Sequence, residues 1–333
     1  MDPNSFSSPC PCTDPPQISY SFWSQKNILA ISVGGFACVL LLLGLWIFLY
    51  VKQRQQRADA IWEIRRDELH IAEPPDVLGY GAFGLVVKAN YRGTSVAVKR
   101  VLPASSKGKR DSAFDDFIEE MRTLSKLRHP CIVTLMGAVV AKEQEPLLVM
   151  ELMVFGSLYD LIHNETARLE GELVVPILND VAQGVKFLHA ATPFILHGDL
   201  KAQNILVDSS FRGKVSDFGL SHKVQAKSWT LGWTTQVQGV GTPFWMAPEL
   251  LNGEKNTIKT DTFAFGILLW EVYSRQEPYD GEDLQTVLKE VADLTLAEPK
   301  RPKIPPNIPK HAVTLMEDCW HNDPATRPTF NEI

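Results

Sequence analysis

A stretch of 24 residues without a charged side chain, residues 28–51, is the feature that most limits how this chain can fold. Its sequence is ILAISVGGFACVLLLLGLWIFLYV. A helix of that length extends about 36 Å at roughly 1.5 Å per residue, and the apolar core of a bilayer is about 30 Å thick. We therefore predict a transmembrane helix over residues 28–51. A buried helix of a soluble protein and a cleaved signal peptide are the alternatives, but their apolar runs are usually shorter.

The charges that flank this segment predict its orientation. Only Lys26 precedes it, whereas Lys52, Arg54 and Arg57 follow it. The positive-inside rule therefore places the C-terminal side in the cytoplasm. We expect a single-pass membrane protein, with the plasma membrane as its location and residues 1–27 as a short extracytoplasmic tail rich in proline and serine. Within the span, Gly34 and Cys38 are small and four residues apart, a spacing that permits close helix packing and a homodimer.

Composition argues against two classes of site. The net charge is −6, so a broad basic surface for nucleic acid is not expected. The five cysteines form neither a CxxC pair nor a cluster with histidine, so a zinc site is not expected either. They lie at positions 10, 12, 38, 131 and 319.

Residues 52–70 are rich in charge and are interpreted as a juxtamembrane linker. The segment VLGYGAFGLVVKA, residues 77–89, follows and contains Gly79, Gly81 and Gly84 between two strand-like apolar runs. Glycines at such positions let backbone N–H groups approach phosphates closely. A plain flexible hairpin is the alternative interpretation of this motif.

A lysine and a glutamate in the next two segments are predicted to pair. In TSVAVKRVL, residues 94–102, strand periodicity places Ala97 and Lys99 on one face. Residues 112–130 predict an amphipathic helix whose apolar stripe consists of Phe117, Met121, Leu124 and Leu127. Glu120 falls inside that stripe, whereas Glu119 lies opposite. A carboxylate on an inward face is costly unless it is paired, so Glu120 is the predicted partner of Lys99.

Further motifs complete a set that identifies a family. HGDLKAQNIL covers residues 197–206, KVSDFGLS covers 214–221, and GTPFWMAPE covers 241–249. With the glycine-rich loop, Lys99 and Glu120, their order and spacing resemble the eukaryotic-type protein kinases over residues 71–333. Within them the chain resembles the tyrosine-kinase-like group of serine/threonine kinases, including membrane-anchored kinases of amoebae.

The resemblance implies an α+β fold with two lobes, preceded here by the single transmembrane helix. A small β-rich N-lobe would cover residues 71–150, a hinge 151–153 and a larger helical C-lobe 154–333. Glu249 and Arg327 match a buried ion pair of the C-lobe in this family. The sequence ends at Ile333, where such kinases have their last helix, so a truncated C-terminus is one expectation.

The resemblance also implies ATP and Mg²⁺ as cofactors and assigns roles to residues. Asp199 would accept the proton of the attacking hydroxyl, Lys201 would contact the transferred phosphate, and Lys99 paired with Glu120 would hold the α and β phosphates. Asn204 and Asp217 would bind the metal ions. The residues implied in nucleotide binding, besides Lys99, are Leu78, Gly79, Gly81, Gly84, Val86, Ala97, Met150, Glu151, Met153 and Leu206.

The predicted function is that of a membrane-anchored signalling kinase that phosphorylates serine and threonine in protein substrates. Lys201 and Thr242 stand where serine/threonine kinases have lysine and threonine, whereas Trp245 is more typical of tyrosine kinases. The alternatives are a dual-specificity or tyrosine kinase and a membrane-anchored pseudokinase that acts as a binding scaffold.

Gly198 occupies a position at which most such kinases have arginine. That arginine pairs with a phosphate on the activation segment and orders it. Glycine there is explained by drift, by activation that does not depend on this pair, or by loss of catalysis in a pseudokinase.

Overall fold

The computed structural model describes residues 25–81, 84–100, 117–118, 121–140, 146–164, 171–218 and 243–333. Within these ranges, the side chains of residues 25–35, 37, 38, 58, 80, 81, 84 and 171 are outside the description. The chain forms two compact units, Met1–Ala58 and Asp59–Ile333.

The first unit contains nearly all of helix α1, Gln25–Asp59. Its residues 39–57 are all exposed, among them a run of large apolar side chains such as Leu41 and Phe48. No helix built from described residues is both long enough and apolar enough to cross a membrane. The transmembrane span therefore stays a prediction. The homodimer stays a prediction as well, because the side chains of Gly34 and Cys38 are outside the description.

The first lobe of the second unit is built on a six-stranded antiparallel sheet. Its main order is β1-β3-β4-β6-β5, and β2 pairs with β3. Valines from four of its strands pack into one cluster on a face of this sheet. The strands are β1 Leu69–Ile71, β2 Val77–Gly81, β3 Gly84–Tyr91, β4 Thr94–Arg100, β5 Leu135–Val139 and β6 Leu147–Glu151.

The predicted helix of residues 112–130 is described only in part. Residues 117, 118 and 121–124 are helical, and we call them the N-lobe helical segment. Phe117, Met121 and Leu124, three of the residues in the predicted apolar stripe, are buried in the main core. The predicted amphipathic pattern is therefore confirmed over the described residues, while Glu120 itself lies outside them.

The second lobe is helical, apart from one small two-stranded sheet. Helix α5, Ile258–Ser274, is buried along most of its length. The preceding Thr257 caps it, because the Thr257 side chain accepts a hydrogen bond from the backbone N–H of Lys259. The helices are α2 Leu158–His163, α3 Gly171–His189, α4 Pro248–Leu251, α5 Ile258–Ser274, α6 Leu284–Ala292 and α7 Lys310–Cys319. The small sheet pairs β7 Ile205–Val207 with β8 Gly213–Val215. This is the predicted α+β fold of two lobes.

The predicted ion pair of this lobe is confirmed. Arg327 donates through Nη1 to Glu249 Oε1 at 2.6 Å and through Nη2 to Glu249 Oε2 at 2.9 Å. Both side chains are buried, and the guanidinium also donates to the carbonyl of His321 at 2.7 Å. A buried charge pair needs such additional hydrogen bonds to offset its loss of solvation. We assign this pair a structural role in the second lobe, outside the active site.

Candidate active site

Three predicted site residues meet in the loop between α3 and β7. Asn204 Nδ2 donates to Asp199 Oδ2 at 2.9 Å and to the Asp199 carbonyl at 2.7 Å. Lys201 Nζ lies 2.9 Å from Asp199 Oδ2. Lys201 and Asn204 are buried, whereas the Asp199 side chain is 17% exposed. The Asp199 carboxylate is therefore held on one side and remains accessible to a substrate.

Asp261, near the start of α5, binds the backbone at the beginning of this loop. Its carboxylate accepts from the backbone N–H of His197 at 2.9 Å and of Gly198 at 2.8 Å, and His189 Nε2 lies 2.8 Å away. Burial opposes the charged form of Asp261, but these hydrogen bonds and the neighbouring imidazoles leave its pKa below the usual range. Burial also lowers the pKa of His197, which favours the neutral ring. The loop is thus anchored on a buried carboxylate.

Gly198 has a backbone conformation that glycine adopts readily. Its φ is +74°, in the left-handed region that glycine adopts without a steric cost. For most residues that carry a Cβ atom, this conformation costs about 1–2 kcal/mol. The glycine therefore suits a loop whose backbone is fixed by Asp261. Drift, altered activation and loss of catalysis all stay open as reasons for its presence.

Lys99 and Asp217 form the second part of the site. Lys99 Nζ lies 2.6 Å from Asp217 Oδ1, and the lysine side chain is 1% exposed. Asp217 follows β8, and the preceding Ser216 donates from both its N–H and its hydroxyl to the Asn204 carbonyl at 2.9 and 2.8 Å. These bonds join the Asp217 segment to the Asp199 loop. Glu120, the predicted partner of Lys99, lies outside the described residues.

The predicted nucleotide-binding residues lie along the N-lobe sheet, at the connection to the second lobe and, for Leu206, on β7. Gly81 and Gly84 pair at the end of the β2–β3 hairpin, and Gly79 and Leu78 precede them on β2. The other positions are described by strand register: Val86 pairs with Lys99, Ala97 pairs with Met150, and Leu206 forms an isolated bridge with Ser157. Met153 is buried just after β6. Their contact with a nucleotide stays a prediction.

The predicted hinge is tied to the strand that leads to Asp217. Glu151 accepts through Oε1 from the Thr134 N–H at 2.7 Å, and its Oε2 lies 2.7 Å from Lys214 Nζ on β8. The Glu151 side chain is therefore engaged within the protein. Its predicted part in nucleotide binding would have to come from its backbone.

The side chains predicted to hold metal have the chemistry that Mg²⁺ requires. Mg²⁺ prefers oxygen ligands and is usually bound by one or two carboxylates together with substrate phosphates. Asp217 contributes a carboxylate that is 23% exposed. Asn204 directs its Nδ2 group at Asp199, which leaves its amide oxygen for a cation. This donor set fits Mg²⁺ bound together with ATP.

Glu271 on α5 is a residue of the site that the sequence analysis missed. Its Oε2 accepts from the Ala202 N–H and from Trp245 Nε1, each at 3.2 Å, and Oε1 has no partner among the described groups. Burial raises its pKa to about 7. A signal was present, because an acidic residue inside the apolar sequence FGILLWEV must be buried with specific partners.

Replacing Glu271 with glutamine is expected to change the pH dependence of stability. Because the pKa rises from the ordinary 4.5 to about 7 on folding, the folded chain retains a proton that the unfolded chain loses. The wild-type free energy of unfolding therefore falls by about 3 kcal/mol between pH 4.5 and 7 and is constant above pH 7 with respect to this group. Glutamine does not titrate, so the variant lacks this fall. Urea unfolding of both proteins at pH 5 and pH 8 measures the difference.

The matched control for this measurement is the exposed Glu254→Gln variant. It should show the same pH dependence as the wild type. If Glu271→Gln also follows the wild type at both pH values, the raised pKa of Glu271 is wrong.

Comparison with known proteins is consistent with this geometry. The family model described as protein tyrosine and serine/threonine kinase matches residues 73–333. A probable serine/threonine-protein kinase of Dictyostelium discoideum is 38% identical over 84% of this chain and 29% of its own length. Probable serine/threonine-protein kinase drkA of the same organism is 32% identical over 97% of this chain and 49% of its own.

A plant relative gives the same result. Serine/threonine-protein kinase CTR1 of Arabidopsis thaliana is 37% identical over 77% of this chain and 30% of its own length. The chain thus spans half or less of the length of these relatives. The predicted resemblance to protein kinases, with amoebal serine/threonine kinases among the relatives, is confirmed. The chain belongs to the protein tyrosine and serine/threonine kinase family.

Proposed function

We propose that this chain is an active serine/threonine kinase, anchored in a membrane by residues 28–51, that transfers the γ-phosphate of ATP to proteins. ATP and Mg²⁺ are the cofactors of its family. The observation that carries the proposal is the presence of two carboxylates, Asp199 and Asp217, each paired with a lysine, in segments that Ser216 joins by hydrogen bonds to Asn204. Asp199 is held by Asn204 and Lys201, and Asp217 is held by Lys99. A pseudokinase would not need this complete set.

The Asp199 side of the site acts on the substrate hydroxyl. Asp199 accepts a hydrogen bond from the serine or threonine hydroxyl and takes its proton as the oxygen bonds to the γ-phosphorus. The bond between that phosphorus and the β–γ bridging oxygen breaks, and ADP leaves. Lys201, already 2.9 Å from Asp199 Oδ2, supplies a positive charge beside the transferred group.

The Lys99 side of the site positions the nucleotide. Its ammonium group binds the α and β phosphates and is oriented by Asp217. Asp217 and Asn204 would hold Mg²⁺, and the ion would supply positive charge beside the phosphate oxygens. Because the phosphoryl transition state is loose and negatively charged, fixed cations and exact positioning supply most of the catalysis.

The choice of serine and threonine rests on Lys201 and on the names of the relatives, while Thr242 lies outside the described residues. The test is transfer from radiolabelled ATP by the full chain to a general protein substrate, followed by phosphoamino-acid analysis. We expect phosphoserine and phosphothreonine. Phosphotyrosine alone would show a tyrosine kinase, both kinds together would show dual specificity, and no transfer would support a pseudokinase.

The membrane anchor is supported by the uncharged sequence and by the exposure of apolar residues on α1. Residues 39–51 are exposed throughout, and large exposed apolar surfaces mark sites of contact with membranes or partners. The charges of Lys52, Arg54 and Arg57 support a cytoplasmic location for the kinase domain.

An epitope tag inserted at residue 5 should test this topology. We expect the tag to be digested by protease added to intact cells, because residues 1–27 would face away from the cytosol. The kinase domain should be protected until the membrane is permeabilised. A protected tag together with a digested kinase domain would show the opposite orientation, and recovery of the chain in the soluble fraction would contradict the anchor.

A further inference from the structure

A cavity of about 420 Å³ lies on one face of the N-lobe sheet, and we call it the N-lobe cavity. Its lining includes Leu85 and Val87 from β3, Val98 from β4 and Leu147 from β6. Val87 pairs directly with Val98, so these two side chains lie next to each other on the same face. Cavities of roughly 300–1,000 Å³ are typical of sites that bind small ligands. The N-lobe cavity is therefore large enough for such a ligand.

The N-lobe cavity lies on the face of the sheet opposite to Lys99. Side chains alternate along a strand, so Val98 is on one face of β4 and Ala97 and Lys99 are on the other. Val98 lines the cavity, whereas Lys99 contacts Asp217. Among the described residues that line the cavity, none belongs to the predicted active site. The cavity is therefore separate from the proposed nucleotide site.

Charged residues line one part of the N-lobe cavity. Those of the described lining are two arginines and one glutamate, Glu73, which leave one net positive charge. On β4, Arg100 lies two residues after Val98 and therefore on the same face. Arg66 precedes β1, and its Nη1 donates to the Leu69 carbonyl at 3.2 Å. Within the described part of the chain, Arg66 forms no ion pair. Both arginines are exposed residues, so this part of the cavity favours an anionic group from solvent.

The apolar part of the lining decides what can be attached to the anionic group. Its described residues include no phenylalanine, tyrosine or tryptophan, so it offers little for stacking on a ring system. Leucine, isoleucine and valine side chains instead favour an aliphatic chain, since burial of each CH₂ group is favourable. The arginines favour a carboxylate or a phosphate, which a guanidinium binds with paired hydrogen bonds. The chemistry that fits is an aliphatic chain with one anionic head group.

A peptide fits this surface less well. The three strands that supply Leu85, Val98 and Leu147 each have a neighbouring strand on both sides. Their backbone N–H and C=O groups are therefore already paired in the sheet, and an added strand could not bind to them. A peptide backbone on this face would lose hydrogen bonds to water without replacing them. A ligand without amide groups avoids that loss.

We propose that the N-lobe cavity binds an amphiphile that has one aliphatic chain and one anionic head group, a carboxylate or a phosphate. The head group lies beside Arg66 and Arg100, and the chain contacts Val87, Val98 and Leu147. This binding goes beyond the proposed kinase function and requires neither ATP nor catalysis. It would place a ligand on β4, the strand that also carries Lys99.

The experiment is photocrosslinking of the full chain, held in nanodiscs of neutral phospholipid, with dodecanoate that carries a diazirine at the end of its chain. The probe is used below its critical micelle concentration and without ATP, and the labelled residues are mapped by mass spectrometry. We expect labels on the cavity residues of β3, β4 and β6. The exposed apolar residues of α1, such as Leu41, measure nonspecific labelling in the same sample.

The variants test the head group. Arg66→Gln should reduce labelling of the cavity about fivefold or more relative to α1, because the head group loses a charge-assisted hydrogen bond. Arg66→Lys keeps the charge and should retain about half of the labelling or more. Arg65→Gln is the matched control, since Arg65 is adjacent, exposed and paired with Asp67 and is not among the described residues of the lining. It should label like the wild type.

Competition tests the two halves of the ligand separately. Unlabelled dodecanoate or dodecyl phosphate should displace the probe, and the one that acts at the lower concentration identifies the head group. Dodecanol should be about tenfold weaker or more because it lacks the charge, and butyrate should not compete because it lacks the chain. Labels confined to α1, equal competition from dodecanol, or equal labelling of the Arg66→Gln variant and the wild type would each overturn the inference. Displacement by an acidic peptide but not by dodecanoate would also overturn it and would assign the cavity to a protein partner.

Discussion

Replacing Asp199 with asparagine is expected to lower kcat by about a thousandfold or more while nucleotide affinity changes by no more than a few fold. Asparagine keeps the size of the side chain and an oxygen for the hydrogen bond from Asn204 Nδ2, which is 2.9 Å long in the wild type. It cannot accept the proton of the substrate hydroxyl, and general base catalysis alone contributes about 10²–10⁴-fold. It also removes the negative charge 2.9 Å from Lys201. Steady-state transfer rates and binding of a fluorescent ATP analogue measure the two effects.

The control for this substitution is Asp280→Asn, at an exposed aspartate of the C-lobe. It should leave kcat unchanged. Nucleotide affinity should survive in the Asp199 variant because Lys99 and Asp217 form a separate contact on the other side of the site. Transfer by the Asp199 variant at the wild-type rate would exclude Asp199 as the base and, with it, the proposed assignment of the site.

Much of the fold was predictable because the relevant signals are local in the sequence. Strand periodicity separated the two faces of β4, and Val96 and Val98 do share one cluster while Lys99 reaches Asp217 from the other face. The resemblance carried by HGDLKAQNIL likewise implied that Asp199, Lys201 and Asn204 act together, and they are within hydrogen-bonding distance. A short loop can bring together only residues that are already close in sequence.

What the sequence did not predict depends on contacts between distant residues. Asp261 lies near the start of an apolar helix, and no local pattern indicates that it binds backbone groups more than 60 residues away in sequence. Glu271 reaches Ala202 in the same way. Residues 52–70 were interpreted as a linker because their charged sequence gives no sign that Trp62 is buried. Tertiary packing decides which residues contact each other over such sequence distances, and the periodicity of apolar residues in the sequence does not reveal it.

Lys99 is a residue that the local sequence pattern identified as part of the site, although the pattern did not establish which carboxylates contact it. The helix pattern selected Glu120 over Glu119 as the partner, and that residue lies outside the described part of the chain. The structure shows Lys99 beside Asp217 at 2.6 Å, a contact between residues 118 apart that no local pattern predicts. Two carboxylates on one lysine are compatible, since an ammonium group has three donors.

The second large effect is expected for Lys99→Met, which should lower kcat/KM by about a hundredfold or more. Methionine fills much of the same space but has no charge, so the nucleotide phosphates lose a buried cation and Asp217 loses its partner. Removing one preorganised donor from a transition-state charge typically costs about 10²–10³ in rate. Because Lys99 is only 1% exposed, solvent cannot replace the missing ammonium group. Initial rates over a range of ATP concentrations give both kcat and KM.

Lys88→Met is the matched control, because Lys88 lies on the adjacent strand β3, directly opposite Ala97. The same substitution there should leave kcat/KM within twofold of the wild type, which shows that losing one positive charge from the lobe is not enough. Lys99→Arg keeps the charge, but its planar fork needs more room than this buried position offers, so we expect only partial activity. If Lys99→Met retained kcat/KM within a few fold, the ion pair with Asp217 would be a structural contact and the nucleotide phosphates would have to be held by another cation.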